Sequence, residues 1–124
     1  VTLPARLEYR GRTALLKYHK FNSGIGAHPA NSLPALEHVL VGEVAVIECD
    51  IGSLADGTLV LLHDDVLERE TTGVGRVAHL DLAGFRALRL RGSDVPPATL
   101  ADVVARLRDH RLPLKVQIDV KAAL

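Results

Sequence analysis

The sequence has 124 residues, enough for one domain with a core of its own and too few for two. Fifteen Lys and Arg balance fifteen Asp and Glu, which excludes the global positive field of a nucleic-acid or anionic-membrane binder. No apolar run approaches the roughly 20 residues that span a bilayer, and the single cysteine, Cys49, excludes an intrachain disulfide and favours a reducing, cytoplasmic setting.

Along the chain, Arg6 to Arg10 alternates weakly and Gly11 offers a turn, so a short opening strand or hairpin is expected. Ala14 to His19 reads as a strand running into a polar, glycine-containing loop from Lys20 to Pro29. Ser32 is placed to cap a helix with Pro34 in its first turn and Gly42 just past its end. Val44 to Asp50 is a β-branched strand, and Asp56-Gly57 turns the chain before a further strand from Thr58 to His63. Asp64 to His79 is expected as loop, and Leu80 to Leu90 contains a short helix started by Asp81. Thr99 caps the clearest helix, with Asp102 in capping-box position and Leu100, Val103, Val104 and Leu107 as its apolar stripe. Pro113 stops it, and Leu114 to Lys121 forms the last strand.

Strands alternating with helices predict an α/β layout with a mainly parallel sheet. The short link from Ile51 to Gly57 leaves open whether its flanking strands form a hairpin or a parallel crossover. The polar residues sit at strand ends. His19 follows the first main strand, Glu48 and Asp50 close the second, His63 the third, and Asp119 with Lys121 the fourth. Charged groups gathered at the carboxyl ends of successive parallel strands mark the active face of a β/α barrel. Glu48 and Asp50, spaced i and i+2, point to one side of their strand. Two carboxylates there are costly unless a cation neutralises them, so a divalent metal is expected beside an acid/base histidine. Cys49 between them faces the opposite side, into the core, and Lys17 shares the inward face with His19.

These residues then reach a known pattern. His19-Lys20-Phe21, Pro29-Ala30-Asn31-Ser32, Ile47-Glu48-Cys49-Asp50-Ile51 and the run from Ala55-Asp56-Gly57 to Leu62-His63-Asp64 follow one another in a fixed order. Leu67 to Val77, Asp81 to Arg86, Pro97 to Leu100 and Ile118-Asp119-Val120-Lys121 continue it. The pattern resembles the glycerophosphodiester phosphodiesterase family, related to phosphatidylinositol-phospholipase-C-like phosphodiesterases. The resemblance implies a TIM barrel, with residues 1–124 as the N-terminal portion of a single barrel domain and only about the first half represented. It also implies metal-dependent hydrolysis of a small-molecule glycerophosphodiester to glycerol phosphate and an alcohol, using calcium or magnesium. In this chain it assigns His19 and His63 as the acid/base pair. Glu48, Asp50 and Asp119 become metal ligands, and Lys20 and Lys121 substrate-binding groups.

The sequence departs from that pattern around the site. Lys20 and Phe21 stand where the family commonly has Arg-Gly, Ala30 replaces a glutamate, and Asp119 is one methylene shorter than the usual glutamate. Lysine keeps the charge but loses the two-pronged guanidinium grip. A catalytically impaired relative that binds a phospho-ligand or a protein is therefore the alternative expectation. A phospholipase acting on membrane lipid would share the histidines and acids but would need an apolar rim that the sequence does not obviously supply. A barrel of this kind typically needs about 200 residues or more. The chain opens at Val1 and contains no methionine, so it is expected to be a portion of a longer product. Half a barrel leaves open sheet edges, and a homo-oligomer covering them is expected if the half barrel is the working unit.

Overall fold

The computed structural model describes residues 3–22, 28–111 and 113–121. Strands β1 (Arg6–Tyr9) and β2 (Arg12–Leu15) form an antiparallel hairpin around the left-handed pair Arg10 and Gly11. The strand expected from Ala14 to His19 is therefore divided at Leu16. Its first part belongs to the hairpin, and only β3 (Lys17–Tyr18) joins the main sheet. Helix α1 (Leu33–Leu40) begins as expected, with the Ser32 hydroxyl accepting the Ala35 N–H at 3.2 Å. Its buried residues Ala35, Leu36, Val39 and Leu40 cover one face of β4 (Val46–Ser53). Gly42 just past the helix is a genuine close approach, because a Cβ there would lie 2.8 Å from Leu3 Cβ and Leu3 O.

Strand β4 is the spine of the sheet. β3 pairs with it in parallel on one side and β6 (Lys115–Val120) in parallel on the other. The strand expected from Thr58 to His63 behaves differently. β5 (Leu59–Val60) is short and antiparallel to the end of β4, with Gly52 opposite Val60 and Ser53 opposite Leu59. The tight Asp56-Gly57 turn wins over a crossover: Asp56 accepts the Thr58 N–H at 2.9 Å, and Gly57 takes the positive φ of +89°. His63 consequently stands on a loop beyond a hairpin rather than at the end of a parallel strand.

The alternation of β4 separates core from site. Ile47, Cys49 and Ile51 are buried among Leu36, Val39, Leu61 and Val103, whereas Glu48 and Asp50 take the other face. Helix α3 (Leu100–Leu107) carries the expected capping box: the Thr99 hydroxyl accepts the Asp102 N–H, and Asp102 accepts the Thr99 N–H. Val103 is its buried residue, while Val104 of the expected stripe is 46% exposed. A second cluster, Leu54, Val60, Leu62, Leu67, Val77, Phe85 and Leu90, sits beneath the long segment between β4 and α3. That segment includes α2 (Leu82–Arg86), capped by Asp81 through the Gly84 N–H. On β6, Ile118 and Val120 are 42% and 47% exposed, so its outward face lacks the helix cover that β4 has.

Candidate active site

The parallel register puts the polar residues of neighbouring strands side by side. Glu48 is level with Gln117 and Asp50 with Asp119, and β3 delivers His19 at its carboxyl end. Residues 19–21 form a single 3-10 turn, in which Lys20 and Phe21 both adopt positive φ, +54° and +58°. Neither is glycine, so this backbone is strained, and it is held by what surrounds it. The Phe21 ring is fully buried in the core, and the Lys20 carbonyl accepts the Asn31 N–H at 2.7 Å. The centre of the loop expected from Lys20 to Pro29, residues 23–27, lies outside the described residues.

At the centre, His19 Nε2 lies 2.9 Å from Glu48 Oε2. The imidazole is largely exposed and the carboxylate buried. Burial, reinforced by the neighbouring Asp50 charge, pushes the Glu48 carboxyl above the usual range, with His19 partly opposing the shift. Asp50 is fully buried and held by Asn31 in both directions. The Asn31 amide donates to Asp50 Oδ2 at 3.1 Å, and the Asp50 N–H donates to Asn31 Oδ1 at 3.3 Å. One oxygen of each acid, Glu48 Oε1 and Asp50 Oδ1, is buried without a hydrogen-bond partner among the described residues. Lys121 Nζ approaches Asp50 Oδ1 only to 3.9 Å. Two buried, partnerless carboxylate oxygens on one face are what a hard divalent cation would satisfy. Among the described residues, His19, Glu48 and Asp50 form a group whose ligand atoms lie within 4.8 Å of one another.

Asp119 stands in register beside Asp50 but is turned to Lys121, whose ammonium is 2.8 Å from Asp119 Oδ2. That bond holds the Asp119 carboxyl below the usual range and the Lys121 ammonium above its own. His63 and His19 add smaller contributions in the same direction to the Asp119 carboxyl. Lys17 points to the same inner face, where its ammonium donates to Gln117 Oε1 at 3.4 Å. His63 Nδ1 is 2.8 Å from Asp64 Oδ1, and this bond lowers the Asp64 carboxyl below the usual range. Cys49 faces the core as expected, its thiol pushed up to about 12 by burial and then by the two flanking acids.

Two residues at this end of the sheet had no role in the sequence reading. Asn31 was visible only as part of Pro29-Ala30-Asn31-Ser32, and its left-handed φ of +56° suits an asparagine. Glu70 accepts the His63 N–H on Oε2 at 3.2 Å and the Asp64 N–H on Oε1 at 2.6 Å, fixing the loop that carries the histidine. The tight 63–70 loop offers no sequence signal for that contact, because the pairing depends on the 3-10 turn at Leu67–Arg69.

Buried strand-end acids with a histidine beside them, at one end of a parallel sheet, are the arrangement of a β/α barrel's active face. Residues 23–123 match the Glycerophosphoryl diester phosphodiesterase family, and the chain belongs to that family. It is 33% identical over 106 residues to the "Probable glycerophosphodiester phosphodiesterase 1" of Mycobacterium tuberculosis (strain H37Rv), covering 77% of this chain and 39% of that protein. It is 35% identical over 100 residues to "Glycerophosphodiester phosphodiesterase 1" of Bos taurus, covering 72% of this chain and 30% of that protein. The chain thus spans less than half the length of these relatives. Among solved structures, a glycerophosphodiester phosphodiesterase from Agrobacterium tumefaciens superposes with a TM-score of 0.69 at 27% identity, over 84% of this chain and 45% of that one. An Oleispira antarctica phosphodiesterase in complex with the product sn-glycerol-3-phosphate superposes with a TM-score of 0.74 at 24% identity, over 86% of this chain and 44% of that one. The fold is that of a TIM barrel represented in part, with β3, β4 and β6 as its parallel strands. No helix among the described residues is long and apolar enough to cross a membrane.

Proposed function

We propose that this chain carries the catalytic end of a metal-dependent glycerophosphodiester phosphodiesterase, within a single barrel domain. The observation that supports this most is the pair of buried, partnerless carboxylate oxygens on Glu48 and Asp50 beside His19. Glu48 and Asp50 would hold a calcium or magnesium ion, with Asp119, level with Asp50 on β6, as a third carboxylate. When bound, the ion offsets the charge of the phosphodiester and makes its phosphorus easier to attack.

The remaining work falls to the side chains. One histidine removes a proton from the attacking hydroxyl, and the other gives one to the departing alkoxide, a poor leaving group when unprotonated. With Nδ1 held by Asp64, the atom of His63 left to exchange a proton is Nε2. His19, whose Nε2 lies 2.9 Å from Glu48 Oε2, is the complementary member of the pair. Lys20 and Lys121 supply positive charge for phosphate oxygens. Family likeness favours attack by the neighbouring glycerol hydroxyl, which would release the alcohol and leave a cyclic phosphate for water to open.

The decisive assay uses the full-length protein with several glycerophosphodiesters. Release of glycerol phosphate, lost on chelation and restored by calcium or magnesium, is the expected result. No turnover across head groups and metals would overturn the enzyme reading. It would instead favour a catalytically impaired relative that binds a phospho-ligand, a reading to which the paired Asp119 and Lys121 and the departures at Lys20 and Ala30 lend support.

A further inference from the structure

Lys17 has no part in the mechanism above, yet it stands on the site's own face. Tyr18, its neighbour on β3, is buried in the core, so Lys17 projects to the opposite side, the side of Glu48 and Asp50 on β4. The register sets it level with Val46, one step below Glu48 in the same row. Lys115 of β6 is level with Val46 on the other flank. The two lysines differ in what they reach. The Lys17 ammonium donates to Gln117 Oε1 at 3.4 Å, and Gln117 is level with Glu48. Burial and then Asp50 push the Glu48 carboxyl up, and Lys17 is among the charges that oppose the shift. Lys115 has no such tie to the site among the described residues.

The charges gathered beside the acids are unequal. Glu48, Asp50 and Asp119 are three carboxylates, against the two ammoniums of Lys17 and Lys121. Lys121 Nζ lies 2.8 Å from Asp119 Oδ2 and 3.9 Å from Asp50 Oδ1. Counting the histidines as uncharged, this face carries one net negative charge. A divalent cation would turn it to one positive charge, which a single phosphodiester anion offsets. Without Lys17 the same face would stand at two negative charges. It would attract the cation more strongly and, once loaded, would be neutral toward the anion.

Resting on the metal-dependent phosphodiesterase reading, we propose that Lys17 tunes the site between its two ligands. Its ammonium weakens the hold on the divalent cation and strengthens the hold of the cation-loaded site on the phosphate anion. It acts through its charge rather than as a catalytic residue. Lys17 is exposed, so solvent screens it and an effect of about fivefold on each affinity is expected.

Calorimetry on the full-length protein tests this in two titrations. Calcium or magnesium is titrated first, and glycerol phosphate is then titrated into the cation-saturated protein. Lys17→Met is expected to bind the cation about fivefold more tightly and glycerol phosphate about fivefold more weakly. Lys17 lies outside both core clusters, so the variant should fold, and melting curves check that it does. Lys17→Arg keeps the charge and should stay near the parent in both titrations. Lys115→Met, on the same level of the sheet, should shift both affinities less than Lys17→Met. Added salt should shrink the Lys17→Met differences. A merely structural lysine would lower both affinities together. That result, or either affinity unchanged in Lys17→Met, would overturn the tuning role while leaving the metal reading intact. A parent that binds neither cation removes both.

Discussion

Glu48 and Asp50 stand on an eight-residue strand paired on both sides, whereas His63 stands on a loop beyond a two-residue strand. The acids take their positions from the sheet and from the core of Leu36, Val39 and Val103 behind it. The histidine takes its position from hydrogen bonds: Asp64 on the ring, and Glu70 on the backbone of both residues. The half of the site that holds the buried acids is thus built into the barrel, and the half that holds His63 is attached to it by a separately packed segment. A site divided in this way should fail differently according to which half is damaged.

The largest effect is expected on the attached half. His63→Ala removes the proposed acid/base group and should lower kcat by about 10²–10⁴-fold with the melting temperature nearly unchanged, since the ring is not part of either core cluster. Activity assays alongside thermal melts check it, and a melting transition that falls in step with the rate would show that His63 is structural. Glu70→Ala should follow with a loss of about tenfold in kcat, because the histidine remains but loses its fixed placement. If the rate of Glu70→Ala equals that of the parent, the loop holds itself and the division drawn above fails.

The built-in half should respond through stability first. Asn31→Ala strips Asp50 of the donor to Oδ2 and of the acceptor for its own N–H, both buried. A buried polar group left unsatisfied costs about 1–3 kcal/mol, so a clear fall in denaturation midpoint is expected. Part of the fall reflects backbone, because alanine tolerates the +56° φ less well than asparagine. A cation held by Glu48 and Asp50 should raise the midpoint of the parent more than that of the variant.

The two halves also differed in how far the sequence disclosed them. β4 and its acids were legible because a β-branched run and an i, i+2 spacing fix faces without reference to anything distant. The caps at Ser32, Asp81 and Thr99 were legible for the same reason, being contacts over three residues. The strand expected from Thr58 to His63 shrank to Leu59–Val60, because the choice between hairpin and crossover lay in one Asp-Gly turn. Val104 was expected inside and is half-exposed, since periodicity marks an apolar stripe but not which neighbour covers it. Asn31 and Glu70 stayed hidden because each works through partners brought by tertiary packing, nineteen positions away for Asn31 and Asp50.

The smallest expected effect lies at the seam between the halves. Arg86 of α2 belongs to the attached segment, and Asp102 of α3 to the barrel layer. Their side chains meet at 2.6 Å and 3.2 Å. That contact, with burial partly opposing it, holds the Asp102 carboxyl below the usual range. A carboxyl depressed in the folded state contributes stability that is fully present above its unfolded value of about 3.9 and is lost as pH falls through the lower folded value. The pair is partly exposed, at 47% and 27%, so screening keeps its worth to about 1 kcal/mol or less. Arg86→Ala should therefore lower the denaturation midpoint slightly at pH 7, and parent and variant should converge as pH falls below the carboxylate range. Salt should shrink the gap at pH 7. Should the gap persist undiminished at low pH, the seam is held by the packing of Phe85 and its neighbours in the second cluster rather than by charge. The segment carrying His63 would then be fixed to the barrel by the same apolar means as the acids.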